Sequence, residues 1–227
     1  MPESQIQNPK SKIAPIAGLV LCGGKSSRMG LPKATLPFGP ELMLQRVVRL
    51  LSQVVSPIVV VAAPRQELPP LPAGVMVAKD EREGRGPLEG LLAGLTAVAP
   101  LVEAAYATSC DVPLLVPGFV ELMIERLGDA EIAVPVEGEF AHPLAAVYRT
   151  SVLPQIQELL AADRLRPAFL FDRVNTCRVP VEELKTVDPQ LSTLQNLNRP
   201  EDYLAALAAA GFQPDPATLA ALGTPRT

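Results

Sequence analysis

An α/β fold, with a doubly wound, mostly parallel sheet and helices on both faces, is the architecture this sequence predicts. Three observations lead to it. Short, nearly all-apolar runs of strand length recur through the first 130 residues, as strands buried on both faces require. Segments of helical periodicity separate those runs, the alternation that builds parallel sheets. Proline stands at the opening of two of the helical segments, at Pro87 and Pro117, where its missing N–H costs nothing.

The elements follow in order. Ile16 to Cys22, "IAGLVLC", reads as a buried strand that runs into a glycine-rich loop. Glu41 to Val54 has helical spacing, with Leu44, Val47, Val48 and Leu51 on one side. "SPIVVVAA" is a second strand, closed by Pro64, and "VMVAK" a third, reached through the proline-heavy "PRQELPPLPAG". After the charged turn "DEREGRG", a helix opens at Pro87. "AAYATSC" is a fourth strand that ends at Asp111, and a helix follows from Pro117. Beyond residue 130 the pattern loosens into "AEIAVPV", "HPLAAVYR", a helix over about Ser151 to Ala162, and "NTCRVPV", read as a continuation of the sheet with an acceptor-side lobe. "RPEDYLAALAAAG" closes the fold with a helix stopped by glycine.

Composition sets the bounds. At 227 residues and 48% hydrophobic, the chain suits one domain with a substantial core. It contains no tryptophan, so that core is largely aliphatic. A net charge of -4 gives no reason to expect a nucleic-acid or membrane partner, though it permits a local basic pocket. The three cysteines, Cys22, Cys110 and Cys177, form neither a disulfide framework nor a zinc spacing, and a reducing cytoplasm is the expected compartment. "MPESQIQNPKSK" lacks the apolar centre of a signal peptide. We expect a loose arm over 1–14, one domain over 15–211 with halves at about 15–130 and 131–211, and a tail over 212–227.

"LCGGKSSRMGLPK", Leu21 to Lys33, lies where α/β sheets bind ligands, beyond the carboxyl end of a strand. Gly23 and Gly24 let the backbone approach a ligand closely, and consecutive N–H groups can form an anion nest. Arg28 and Lys33 can add charge-assisted bonds to phosphate, with Ser26 and Ser27 as further donors. The loop matches neither a Walker A motif nor a dinucleotide fingerprint; the plain alternative is a surface turn with incidental cations. Asp111 likewise has two readings, a cap for the helix that follows or a Mg²⁺ ligand, since that ion needs only one or two carboxylates beside phosphates.

The loop resembles the signature of nucleotidyltransferases that act on molybdopterin or sugar phosphates, and is nearest to the molybdenum cofactor guanylyltransferase family, which joins GMP from GTP to molybdopterin. The shared residues are Gly23, Gly24, Ser27, Arg28, Met29, Gly30 and Lys33. Cys22 departs from the usual alanine and is not read as a nucleophile. By this resemblance the fold is Rossmann-like, and the backbone at Leu21, Cys22, Gly23 and Gly24 wraps the nucleotide. Arg28 and Lys33 meet its phosphates, and Asp111, in a Cys-Asp-x-Pro segment, holds Mg²⁺. Asp80, Gly86 and Pro87 match an aspartate followed by Gly-Pro-Leu-x-Gly-Leu, which implies a nucleotide pocket at ribose or base. Glu81, Arg82, Glu83 and Arg85, between them, read as a solvated turn.

His142, the single histidine, matches a His-Pro segment and reads as structural or pocket-lining rather than as a general base. Asn196 and Asn198 match the family's terminal asparagines and would complete the site, one of them near the metal. Arg199 stands there in place of the usual threonine. Arg164, Arg166 and Arg173 read equally as contacts to an acceptor phosphate and as surface cations. The resemblance thus implies GMP transfer from GTP to molybdopterin, with or without molybdenum, and release of pyrophosphate. Transient contact with proteins that insert or receive the cofactor goes with it. Cytidylyl transfer to the same cofactor, sugar-phosphate nucleotidyl transfer and a non-catalytic nucleotide-binding scaffold are the alternatives.

Overall fold

The structure, a computed structural model, describes residues 15–23, 29–80 and 85–222. In chain order its elements are β1 (Ile16–Leu21), a 3₁₀ turn (Lys33–Thr35), β2 (Pro37–Phe38), β3 (Glu41–Leu42), α1 (Met43–Leu51), β4 (Ile58–Ala62), β5 (Met76–Lys79), α2 (Pro87–Val98) and β6 (Ala104–Ser109). There follow α3 (Pro117–Leu127), β7 (Ile132–Glu137), β8 (Phe140–Ala141), β9 (Ala146–Arg149), α4 (Leu153–Ala161), α5 (Ala168–Phe171), β10 (Thr176–Pro180), α6 (Val181–Leu184), α7 (Pro200–Ala209) and α8 (Pro216–Leu222).

The main sheet runs β10-β7-β9-β6-β1-β4-β5, with β8 paired to β7. β1 pairs in parallel with β4 and β6, and β4 with β5. β9 is inserted antiparallel between β6 and β7, and β10 is parallel to β7. This is the mostly parallel, Rossmann-like sheet expected, with one reversed strand inside it. Strand alternation divides the core in two. Ile16, Val20 and Cys22 lie with Leu44, Val47, Val48 and Leu51 of α1 and Phe119 and Met123 of α3. Ala17, Leu19 and Leu21 lie on the other face with Leu88, Leu91 and Leu95 of α2 and Ile156 and Leu159 of α4.

Two helices start later than their periodicity suggested. Glu41 and Leu42 pair with Pro37 and Phe38 as a hairpin, so α1 begins at Met43. Glu41 stays useful there, ion-paired with Arg46 and Arg49 at 3.3 and 2.7 Å. Ahead of α4 a 3₁₀ turn occupies Thr150–Val152.

A third, smaller cluster positions the site. Met29, Leu36, Phe38 and Met43 pack with Leu197, Tyr203, Ala206 and Leu207, and the Tyr203 hydroxyl donates to the carbonyl of Pro37. α7 therefore rests on the β2–β3 hairpin and brings the segment before it back to the carboxyl end of the sheet. Just past Gly211 the Phe212 ring meets Phe38 edge-on at 5.9 Å, and Asp215 caps α8 through the Thr218 N–H. Among the described residues no helix is long and apolar enough to cross a membrane.

Candidate active site at the carboxyl ends of β1 and β6

Parallel pairing of β1 and β6 aligns Leu21 with Ser109, and Cys110 N–H donates to the Leu21 carbonyl at 3.0 Å. The glycine-rich loop and Asp111 therefore leave the sheet side by side. The Lys33 ammonium reaches Asp111 Oδ2 at 2.5 Å and Asn198 Oδ1 at 2.9 Å. On the other carboxylate oxygen, Asp111 Oδ1 accepts from Ser109 Oγ at 2.5 Å and from Asn196 Nδ2 at 2.9 Å. Asn196 Nδ2 also lies 3.1 Å from Ser109 Oγ. Four sequence-predicted residues, Lys33, Asp111, Asn196 and Asn198, thus meet in one cluster, though they come from three distant stretches of chain.

Local structure fixes each of them. Pro32 holds φ at -63° ahead of the 3₁₀ turn, and Ala34 beside Lys33 is buried, so the lysine stem leaves an anchored backbone. Leu197 is buried in the third cluster, and its N–H donates to the Asp111 carbonyl at 3.0 Å, while the asparagines on either side turn to the cluster. The start of α7 is secured by Asp202, whose Oδ2 accepts from the N–H groups of Asn198 and Arg199. Arg199 supplies no side-chain acceptor for the first-turn N–H groups, so the carboxylate of Asp202 secures this helix start from the other side, through the N–H groups that precede it. The helix-cap reading of Asp111 is overturned. α3 starts six residues later, and the Asp111 oxygens are bonded to Lys33, Ser109 and Asn196 instead.

Leu21 and Cys22 bury their side chains in the two cores, leaving only backbone for a ligand. The neighbouring Cys110 thiol, as hydrogen-bond partner, and burial push the Cys22 thiol well up. Gly23 is exposed. Gly24, Arg28, Ser26 and Ser27 lie outside the described residues, as do Glu81, Arg82 and Glu83.

Asp80 follows β5 and faces Gly23: a Cβ on that glycine would stand 3.1 Å from Asp80 Oδ2. Its Oδ1 is buried without a hydrogen-bond partner among the described residues. Burial, and the nearby Glu89 carboxylate, push the Asp80 carboxyl up to about 6. Gly90 of α2 makes this closeness feasible, because a Cβ there would lie 2.9 Å from Leu21 Cδ2 and 3.4 Å from Asp80 Oδ1. Gly86, at φ 78° and ψ -174°, takes a backbone shape open only to glycine, and Pro87 opens α2 after it.

Such a carboxyl weakens the fold above its unfolded pKa. Both states are protonated well below pH 4; as pH rises through 4 towards 6 the unfolded chain ionises first and gains stability. Asp80→Asn is therefore expected to raise unfolding stability at pH 7 by roughly 1 kcal/mol, after discount for its partial exposure, and to flatten the stability profile between pH 4 and 6. Urea midpoints at pH 4, 5, 6 and 7 check this, and parallel profiles for the two proteins would defeat it.

Arg85 corrects the solvated-turn reading. Its guanidinium is mostly buried, ion-paired with Glu89 and with Asp163 at 3.3 Å each, and donates to the Leu160 carbonyl at 2.7 Å. It ties the start of α2 to the end of α4, and the Leu165 carbonyl lies 3.7 Å from where a Cβ on Gly86 would be. Arg166, in that same loop, is exposed. Arg164 stacks on Phe169 at 4.2 Å and Arg173 pairs with Glu158 at 3.4 Å.

His142 sits after β8, its ring edge-on to the exposed Phe140 at 4.9 Å. Burial pushes its imidazole down, against the pull of Glu137, and Nε2 is buried without a partner among the described residues. No hydrogen bond links it to the Lys33–Asp111 cluster among the described residues.

Two groups escaped the sequence reading. Ser109 could have been found, because i and i+2 on a strand share a side, and it lies two residues before Asp111. Asp188, nearly fully buried, accepts from the N–H groups of Ser192 and Thr193 at 2.9 Å each. It braces the loop that delivers Asn196, in an Asp-to-Ser/Thr turn visible in "DPQLST".

The cluster offers an ammonium, a carboxylate and two amides at the carboxyl edge of a parallel sheet, a set suited to a polyphosphate and a hard cation. Among the described residues no group of three His, Cys, Asp or Glu side chains could hold a metal alone. Asp111 fits the smaller demand of Mg²⁺, which takes one or two carboxylates and completes its shell with water and phosphate.

A family model for the MobA-like NTP transferase domain matches residues 18–176. A Mycobacterium bovis protein named "Probable molybdenum cofactor guanylyltransferase" is 39% identical over 170 residues, which cover 73% of this chain and 83% of that protein. Its namesake from Mycobacterium avium is 38% identical over 201 residues, 86% of this chain and 96% of its own. Among solved structures, molybdopterin-guanine dinucleotide biosynthesis protein A from Archaeoglobus fulgidus superposes with a TM-score of 0.70 at 21% identity, covering 86% of this chain and 99% of that one. A Thermus thermophilus 2-C-methyl-D-erythritol 4-phosphate cytidylyltransferase reaches 0.65 at 18% identity, covering 87% and 99%. At those identities both structures speak for the fold alone, whereas the family match and the two mycobacterial relatives settle kinship: the chain belongs to the MobA-like NTP transferases, a family of nucleotidyltransferases.

Proposed function

We propose that the protein transfers GMP from GTP to molybdopterin, with or without bound molybdenum, and releases pyrophosphate. The observation that carries this reading is the Lys33–Asp111–Asn196–Asn198 cluster beside the glycine-rich loop, in a chain whose 38–39% identical relatives carry the guanylyltransferase name. An oxygen of the acceptor phosphate attacks the α-phosphorus; that P–O bond forms, the α–β bridging P–O bond breaks, and pyrophosphate leaves with the electron pair. The acceptor is already anionic, so no covalent enzyme intermediate and no general base are required.

Lys33 stabilises charge on the transferring phosphates, and Asn198 orients its ammonium. Gly23, Gly24 and Arg28 cradle the triphosphate. Asp80, close behind Gly23 with an unpartnered oxygen, accepts from N–H or O–H groups of the base or ribose. Mg²⁺, held by Asp111 and the nucleotide phosphates, would supply Lewis-acid polarisation of the phosphoryl oxygens. Residues 131–211 form the acceptor half, with His142 lining it and Arg166, beside the Gly86 turn, as the cation for the acceptor phosphate. All three cysteines are free thiols, in keeping with a reducing cytoplasm.

Competition among the four nucleoside triphosphates, with molybdopterin as acceptor and pyrophosphate release as readout, tests the assignment. GTP is expected to be preferred. A clear preference for CTP would replace guanylyl by cytidylyl transfer, and turnover of a sugar phosphate but not molybdopterin would remove the acceptor assignment.

A further inference from the structure

We propose that Ser109 is a positioning residue, whose hydroxyl locks the Asp111 carboxylate so that Oδ1 is committed to the protein and Oδ2 is presented to cations. The inference rests on the reading of Asp111 as the metal-holding group and extends it to a residue outside the resemblance.

Ser109 is 7% exposed and Asp111 8%. Ser109 has the strand parity of Ala105 and Ala107, which lie in the apolar core beneath α2, so an apolar side chain is the default for its position. The buried hydroxyl there has one proton to give, and gives it to Asp111 Oδ1 at 2.5 Å, the short range of a charge-assisted O–H···O⁻ bond. Its lone pair faces Asn196 Nδ2 at 3.1 Å, and that amide also donates to Asp111 Oδ1 at 2.9 Å. Ser109, Asp111 and Asn196 close a triangle in which each side chain fixes the torsions of the other two. Oδ2 is left outside it, where the Lys33 ammonium stands 2.5 Å away. Two strong donors on one oxygen and a cation on the other make the two oxygens inequivalent. Without the hydroxyl, the Asn196 amide alone would hold that side of the carboxylate, and the plane of the Asp111 carboxylate could tilt away from the orientation that presents one oxygen to cations.

Partners that orient a metal ligand contribute about 10–100-fold to metal affinity. Because Asn196 remains, the effect of Ser109→Ala belongs at the lower end. The experiment is a Mn²⁺ titration of the full chain by electron paramagnetic resonance, with a non-hydrolysable GTP analogue present, for wild type, Ser109→Ala and Ser109→Thr. We expect Ser109→Ala to weaken Mn²⁺ binding about tenfold. The Mg²⁺ concentration for half-maximal pyrophosphate release should rise by a similar factor, while the KM for GTP at saturating Mg²⁺ stays near wild type. Ser109→Thr, which keeps the hydroxyl, should recover most of the affinity, a rescue that a packing role would not give. Ser109→Ala with wild-type Mn²⁺ binding, or a folded Ser109→Thr as weak as Ser109→Ala, would overturn the positioning role and leave Asp111 as the ligand. Failure of the wild type itself to bind Mn²⁺ would overturn both.

Discussion

Lys33→Ala is expected to slow pyrophosphate release by about 10²–10³-fold at saturating GTP and Mg²⁺, the usual loss when one preorganised stabilising donor is removed. The ammonium is held between Asp111 Oδ2 and Asn198 Oδ1 at 2.5 and 2.9 Å, and the Lys33 side chain is only 15% exposed. Its backbone is fixed by Pro32 and by the buried Ala34. Little reorganisation is therefore needed when charge develops on the phosphates. The loss should fall on kcat more than on the KM for GTP, because in the proposed site Arg28 and the loop amides would still hold the triphosphate. The fold should survive, since Asp111 keeps two donors, Ser109 and Asn196. Lys33→Arg should rescue poorly: a planar guanidinium cannot take the place of a compact ammonium at both distances. Single-turnover rates for the three proteins check this, and a Lys33→Ala rate within a few-fold of wild type would remove Lys33 from the chemistry.

What could be read from the sequence, and what could not, divides along local and non-local physics. β1, β4 and β6 were legible because strands buried on both faces write themselves as short apolar runs, and α2 because Pro87 marks its first turn. Lys33, Asp111 and the two asparagines were legible as motif residues, but their meeting was not. Residues 165 positions apart join at Lys33 and Asn198 only because α7 packs on the β2–β3 hairpin rather than on the sheet. That third cluster gives no periodic signal, as its members are spread from Met29 to Leu207. The reversal of β9 was hidden for a related reason: "LAAVYR" is equally apolar in either direction, and pairing on both sides with β6 and β7 decides its sense. Arg85 was misread because charge alone does not distinguish a solvated cation from one seated among Glu89, Asp163 and the Leu160 carbonyl. Ser109 was overlooked because a serine in an apolar strand looks neutral until its hydroxyl is seen bonded to the carboxylate two positions on.

Asp111→Asn separates charge from shape at the centre of the site. Asparagine is isosteric, and its amide oxygen can still accept from Ser109 and Asn196, so the triangle can persist. What is lost is the anionic Oδ2 that faces Lys33 at 2.5 Å and that would hold Mg²⁺. An amide nitrogen in that place presents donors to an ammonium and offers nothing to a hard cation. Since partners that merely orient a ligand are worth about 10–100-fold, removal of the ligand charge should weaken Mg²⁺ activation by more than about 100-fold. It should also lower the rate at any attainable Mg²⁺ concentration, because Lys33 loses the counter-charge that fixes its position. Stability should fall too: Asp111 is 8% exposed, and an ammonium stripped of its partner in such a place must find water or strain its stem. The measurement is a Mg²⁺ titration of pyrophosphate release for wild type and Asp111→Asn, each checked for native circular dichroism. Since the Asp111 oxygens are bonded to Lys33, Ser109 and Asn196 and α3 starts six residues later, a helix-capping role is not available to explain a loss. A right-shifted curve with a lowered plateau is expected, whereas superimposable titrations from two folded proteins would take the metal, and Lys33's dependence on its partner, away from Asp111.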